Sequence, residues 1–444
     1  MSDSTTSPTL AEAARVWARV GLLGFGGPSG QIALLHREVV EIRGWISEAR
    51  FLHALNFCML LPGPEAQQLA TYLGWMLHGT RGGLVAGTLF VLPGFLVILA
   101  LSALYALHRS TEWVGGLFFG LKAAVLVIVA EALIRVGRRA LRSRPSIGLA
   151  ASAFLALFVF TVPFPAVVLA AGLVGVLAER AAPGRFLAVA GAGSPDPMRF
   201  PVGSKAFDGA AALRTGLAWG AVWVVPILIV ALVFGPGSTF TDLAVFFSEM
   251  AMVTFGGAYA VLAWVSQAAV ESHGWLTAGE MVDGLALAET TPGPLILVLA
   301  FVGFLAGFRD PSGLAPLLGG VLGAGVTTWV TFAPSFLWIF LGAPHVERLR
   351  GNAAFAAALA AIGAAVVGVM ANLALWFALH VLFREVERWV LGPISIALPR
   401  GASLDPSAAL LVVAAAVASF GFRIGVPKTL VLCGLIGAAL QALG

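Results

Sequence analysis

The sequence predicts an all-α polytopic membrane protein made of two inverted-topology repeats with re-entrant or broken helices. Three observations predict it. First, of 444 residues 59% are hydrophobic and only 11% charged, with a mean hydropathy of +0.95; soluble domains carry about 25% charged residues. Second, apolar runs recur at 81–107, 113–134, 212–235, 315–342 and 352–383, near the length of about 20 residues that crosses a bilayer as a helix. Third, the chain repeats itself. Short alternating strands of the kind a membrane β-barrel needs do not occur.

Each copy opens with short pieces. Residues 9–24 and 29–43 are helical by pattern and split by GFGGP, and 47–61 and 64–78 are split by PGP. Each piece is shorter than a full crossing, so a pair joined by a break suits a re-entrant hairpin. Irregular backbone at membrane depth is tolerated only when it is buried in protein or lines a wet cavity. Proline opening a helix sacrifices no hydrogen bond. Pro28 and Pro64 are therefore expected to open helices whose free amides point at the membrane centre. A helix start carries roughly half a positive charge and makes an anion site.

Beyond these pieces come the runs 81–107 and 113–134, then the basic stretch 135–144, read as a cytoplasmic loop. The polar segment 179–208 reads as a linker, and about 211–235 as one apolar helix without a counterpart. A shift of 230 then places Phe25-Gly26-Gly27 on Phe255-Gly256-Gly257, Gly44-Trp45 on Gly274-Trp275, and Pro62-Gly63-Pro64 on Pro292-Gly293-Pro294. At 241, Leu92-Pro93 falls on Ala333-Pro334 and Ala123-Ala124-Val125 on Ala364-Ala365-Val366. Near the ends Pro165, Gly172 and Gly175 fall on Pro427, Gly434 and Gly437. The expected domains are 1–178, a linker with the extra helix at 179–237, and 238–444. An odd crossing between copies turns the second upside down, the plan of many secondary transporters.

Charge sets the expected orientation. The basic stretch 135–144 has a long, nearly balanced counterpart at 376–405, whereas 343–351 is basic and its counterpart near 102–110 is not. This places the N-terminus in the cytoplasm and the C-terminus on the far side of the inner membrane. No basic leader precedes the first helix.

The strings GFGGPSGQIALLHREVV, LPGPEAQQLATYLGW and MVTFGGAYAVLAWVSQAAVESHGW, followed by LAETTPGP, resemble the chromate ion transporter family in its long, two-domain form. The resemblance implies export of the oxyanion chromate and chromate resistance. The second copy departs from the first at Ala258 and Leu295, where the first has Pro28 and Glu65, so unequal contributions are expected.

The candidate substrate-binding residues cluster at the breaks. Gly26, Gly27, Gly63, Gly256, Gly257 and Gly293 would let backbone approach an anion, although glycine also serves helix packing. Pro28, Pro62, Pro64, Pro292 and Pro294 shape the turns. Ser29, Gln31, Gln67 and Gln68 offer neutral donors, or bonds to neighbouring helices. Thr290 and Thr291 would cap or donate to substrate. Lys122 lies mid-helix, where a cation costs on the order of 3 kcal/mol; it would counter a dianion, snorkel, or pair with Glu131 or Glu65. Glu65 would pair with Lys122, carry a coupling proton, sit neutral, or cap its helix.

Other classes find no support in the residues. Cys58 and Cys433 stand alone, the histidines lack ligand spacing, and a Walker motif, a Ser/His pair and HExxH are absent. Neither a cofactor, a metal nor an enzyme activity is expected, and the net charge of +4 reads as topology rather than nucleic-acid binding. The expected partners are chromate or a related oxyanion and the lipid bilayer, with a homodimer left open. Sulfate, molybdate or another oxyanion is an alternative substrate, and a non-transporting scaffold is the alternative from another class.

Overall fold

A computed structural model describes residues 8–109, 111–183, 209–255, 257–342 and 353–443. In chain order the helices are α1 (Leu10–Leu23), α2 (Gly27–His36), α3 (Glu48–Cys58), α4 (Glu65–His108), α5 (Glu112–Ala140) and α6 (Arg144–Phe158). Then follow α7 (Phe164–Ala181), α8 (Gly209–Phe234), α9 (Thr239–Val253), α10 (Ala258–Gln267) and α11 (Ala278–Thr290). Next come α12 (Leu295–Arg309, its first turn 3-10), α13 (Pro316–Gly342) and α14 (Ala353–Leu382). A hairpin of β1 (Val386–Leu391) and β2 (Ile394–Pro399) precedes α15 (Pro406–Ala416) and α16 (Val426–Leu443). Six of the helices, α4, α5, α7, α8, α13 and α14, are long and apolar enough to cross a membrane. The chain is a multi-pass α-helical membrane protein.

Element boundaries recur along the chain. Displaced by 230 residues, α1, α2 and α3 fall within two residues of α9, α10 and α11, and the π-helical turn Arg37–Ile42 falls on Ala268–Ser272. Displaced by 241, α5 falls on α14; displaced by 262, α6 and α7 fall on α15 and α16.

The chain divides into two compact units. One comprises Met1–Arg109, Lys205–Ala258 and Leu287–Val346; the other Ser110–Ser204, Tyr259–Ala286 and Glu347–Gly444. In the first, Thr9 accepts a hydrogen bond from the Glu12 amide while the Glu12 carboxylate accepts from Thr9, a capping box that fixes the start of α1. Its Ala13, Val16, Trp17 and Val20 are buried, and α1 packs on α4. At His78–Gly79 the two arms of α4 meet through non-helical backbone. A Cβ on Gly74 of the first arm would stand 2.4 Å from the Gly82 carbonyl oxygen of the second. Glycines likewise bring α12 onto α13, where a Cβ on Gly323 would stand 2.1 Å from the Gly303 carbonyl oxygen. Small residues at such crossings replace the hydrophobic drive that lipid cannot supply.

In the second unit α5 packs against α16, with Gly120 so close that a Cβ would fall 1.8 Å from the Cys433 carbonyl oxygen. Here the structure corrects the sequence reading. The stretch 135–144 is not a loop: α5 continues to Ala140, with Arg138 and Arg139 in its last turn. Arginine is a good helix former and complements a helix C-terminus. The stretch 376–405 is not a plain loop either. Helix α14 persists to Leu382, and β1 pairs with β2 around Gly392, which takes a positive φ of 59° as a two-residue hairpin turn requires. Of the expected linker 179–208, α7 takes the start up to Ala181, and 184–208 lie outside the described residues, as do 343–351.

Candidate functional site

Four helix starts line one small cavity of about 20 Å³ in the first unit. Pro28 and Gln31 come from α2, Pro64, Glu65 and Ala66 from α4, Gly257 and Ala258 from α10, and Pro294, Leu295 and Ile296 from α12. The volume holds about one water, and Pro28, Pro64, Glu65, Gly257 and Ala258 around it are half-buried. The starts of α2, α4 and α12 carry no side-chain cap. Their first amides lack intrahelical acceptors, and the aligned peptide dipoles leave partial positive charge there. Pro28 sits in the first turn of α2. Pro64 does not open its helix as expected; it is the N-cap, with Glu65 as the first helical residue.

The breaks are braced reciprocally. The Gly63 amide donates to the Thr254 carbonyl at 2.8 Å, and the Gly293 amide to the Gly24 carbonyl at 3.0 Å. Gly63 and Gly293 are equivalent under the shift of 230, and so are Gly24 and Thr254. The same exchange continues one layer out. A Cβ on Gly63 would stand 2.9 Å from Oγ of Ser335 on α13, and one on Gly94 of α4 2.4 Å from the Pro292 carbonyl oxygen. Gly94 and Ser335 are equivalent under the shift of 241. Gly63 and Gly293 have φ of +125° and +98°, so side chains are strained at both by conformation, and at Gly293 the Gly94 backbone also crowds them.

This geometry changes the assignment of several expected donors. The amides of Gly63 and Gly293 are spent on the braces rather than left free. Gln31 Nε2 donates to the carbonyls of Gly24 and Gly293, at 3.2 and 2.5 Å. Gln67 Nε2 donates to Thr71, and Gln68 Nε2 to the Pro62 carbonyl at 2.8 Å and to Ser335 Oγ at 3.5 Å. These three glutamines are buried, and each keeps an Oε1 without a partner. Thr290 and Thr291 donate back to the carbonyls of Leu287 and Ala288, closing α11. Ser29 is exposed, and Gly26, in left-handed backbone, is the N-cap of α2. Gly27 is the first residue of α2 with φ +69°. Gly256 lies outside the described residues.

Lys122 belongs to the second unit, and neither Glu65 nor Glu131 is its partner. Its Nζ lies 3.3 Å from Oδ1 of Asp283 on α11, a residue 6% exposed. A Cβ on Gly279, one turn earlier, would stand 3.3 Å from the same ammonium. Glu131 instead pairs with Arg135 and accepts from Ser419. Asp283, Ser335 and Thr254 were missed by the sequence reading. An aspartate within the apolar string MVDGLALA was the available signal, since ionisable residues at membrane depth come with partners.

The chromate transporter family model matches residues 11–176 and 241–438. A chromate transport protein of Pseudomonas aeruginosa is 34% identical over 360 residues, covering 79% of this chain and 77% of the relative. One from Cupriavidus metallidurans is 29% identical, covering 82% of each. An uncharacterized transporter of Methanocaldococcus jannaschii is 24% identical over 85% of this chain and 87% of its own. No solved structure matches.

Proposed function

Since this chain belongs to the chromate transporter family, we propose that it is a secondary transporter exporting chromate across the cytoplasmic membrane by alternating access. One observation carries the reading: four helix starts, two from each sequence copy, line a single cavity. Donor-rich helix ends attract a dianion without placing bare cations in lipid. The two copies act as inverted repeats, with the N-terminus cytoplasmic and the C-terminus outside. The reciprocal braces support this, because each copy gives the other the same bond it receives. The narrow cavity is one state of the cycle, and rocking of the copies widens it to either side in turn.

Voltage suffices as a driving force. An inside-negative potential favours outward movement by roughly 2.3 kcal/mol per charge per 100 mV, about twice that for a dianion. Export on this basis confers chromate resistance. The test is flux of labelled chromate in proteoliposomes with and without an imposed potential, with sulfate as competitor. Flux that accelerates when the potential drives anion out supports the reading. Absence of chromate flux at any potential contradicts it, and sulfate outcompeting chromate reassigns the substrate.

A further inference from the structure

The cavity is lined by a carboxyl group of the protein's own. Glu65, the first residue of α4, lines it, and its Oε1 faces the second copy's helix start, 4.0 Å from where a Cβ on Gly257 would lie. The other lining residues, on α2, α10 and α12, carry no charge or titratable group. Among the described residues, the buried thiol of Cys58, at the end of α3, is a titratable group near Glu65. A second observation points to a missing donor. Gln31, wholly buried, lines the same cavity with an Oε1 that accepts nothing.

We infer that Glu65 is a tethered competitor for the oxyanion: ionised, its carboxylate occupies the seat made by the four helix starts. A dianion enters only when that carboxylate takes a proton or swings away. The proton comes from the aqueous phase. It stays on a Glu65 oxygen as an O–H, for which Gln31 Oε1 is the waiting acceptor, and it returns to water when the dianion leaves. A coupled cycle therefore moves one net negative charge and draws half the electrical drive of a bare dianion. Seating two negative charges beside an ionised carboxylate is unfavourable in a low-dielectric site, so anion and proton bind together. The second copy has Leu295 at the equivalent position, so one carboxylate governs the shared seat. Glu65 thus acts as a specificity and coupling residue. The inference rests on the transporter reading, because it needs the cavity to be the anion seat.

The experiment is equilibrium binding of labelled sulfate, a dianion throughout the range, to the purified full-length protein between about pH 5 and about pH 9. One proton taken up per anion makes the wild-type Kd rise about tenfold per pH unit once Glu65 is ionised. Glu65→Gln keeps the shape and removes the charge; its Kd is expected to stay flat at the wild-type acid value. Glu65→Asp retains the slope, which separates loss of titration from a folding defect. A wild-type Kd that does not change with pH, or a Glu65→Gln variant with the wild-type slope, overturns the inference and leaves the transporter reading standing. Absence of sulfate binding at every pH, in the wild type and in Glu65→Gln, with chromate also failing to bind, overturns both.

Discussion

The first sequence copy meets the cavity with Pro28, Gln31 and Glu65, whereas the second meets it with Gly257, Ala258 and Leu295 and has Val261 where the first has Gln31. Backbone and chemistry have therefore been treated differently. The glycines, the crossed hydrogen bonds and the π-helical turns recur in both copies. The polar side chains do not. The shared part builds four convergent helix starts, which the site needs in pairs. The unshared part puts a carboxylate and an amide at one end of an otherwise apolar lining.

The largest expected effects test the shared part. Gly293→Ala places a Cβ about 3.1 Å from the Gly94 backbone, which cannot give way, at a φ that alone costs about 1–3 kcal/mol. Gly63→Ala meets the ends of Gln68 and Ser335 instead, which can move. Both variants should lose thermal stability in detergent, Gly293→Ala more. Equal, negligible losses would show that the braces do not matter.

Next is the ion pair of the second unit. Lys122→Ala removes the ammonium beside a buried aspartate, a loss of roughly 3 kcal/mol. Adding Asp283→Asn should restore most of the stability, measured by the same melts. If Lys122→Ala melts as the wild type while chromate flux falls, the lysine serves transport rather than structure.

Gln31→Leu removes an amide whose two bonds brace both copies; the Gly24 carbonyl keeps the Gly293 amide, and loss of the bond to the Gly293 carbonyl costs about 1–3 kcal/mol. The mirror substitution Val261→Gln should gain none of it, because the equivalent brace, from the Gly63 amide to the Thr254 carbonyl, already forms with valine at 261. Symmetric behaviour of the two variants would contradict the division drawn above.

The smallest effect compares two helix caps. Ser143 caps α6, and Asp405 caps α15 at the equivalent position under the shift of 262. Burial on its own would raise the Asp405 carboxyl, but hydrogen bonds from the Ala408 and Ser407 amides and the Arg384 guanidinium outweigh it and hold it below the usual aspartate value. A depressed carboxyl stabilises the fold above its unfolded value of about 3.9 and ceases to as pH falls through the lower folded value. Acid should therefore weaken the α15 cap, by about 1 kcal/mol, and leave that of α6 intact. Asp405→Ser should abolish this part of the acid sensitivity in pH-dependent melts.

Much of the fold was legible because glycine and proline at membrane depth are costly and recur in register. That register located the breaks and the helices between them. What stayed hidden lies in groups whose meaning depends on partners across the chain. Gln31, Gln67 and Gln68 read equally as donors for a substrate or as bonds to neighbouring helices. The amides of Gln31 and Gln68 hold the breaks, because only the folded arrangement brings the Gly24, Gly293 and Pro62 carbonyls to them, and that of Gln67 bonds Thr71. Lys122 read as a counter-charge for a dianion, a snorkelling cation or a partner of Glu131 or Glu65, because Asp283 lies far away in sequence. The hairpin was missed because VERWVL alternates weakly, although Gly392-Pro393 between the apolar residues Val390-Leu391 and Ile394 was the signal.

Anomalous diffraction from crystals grown with chromate tests the central claim most directly. The account predicts a chromium peak among Pro28, Pro64, Gly257 and Pro294, with Glu65 turned aside. A peak elsewhere in the molecule, with those four helix starts still closed on one another, would contradict it.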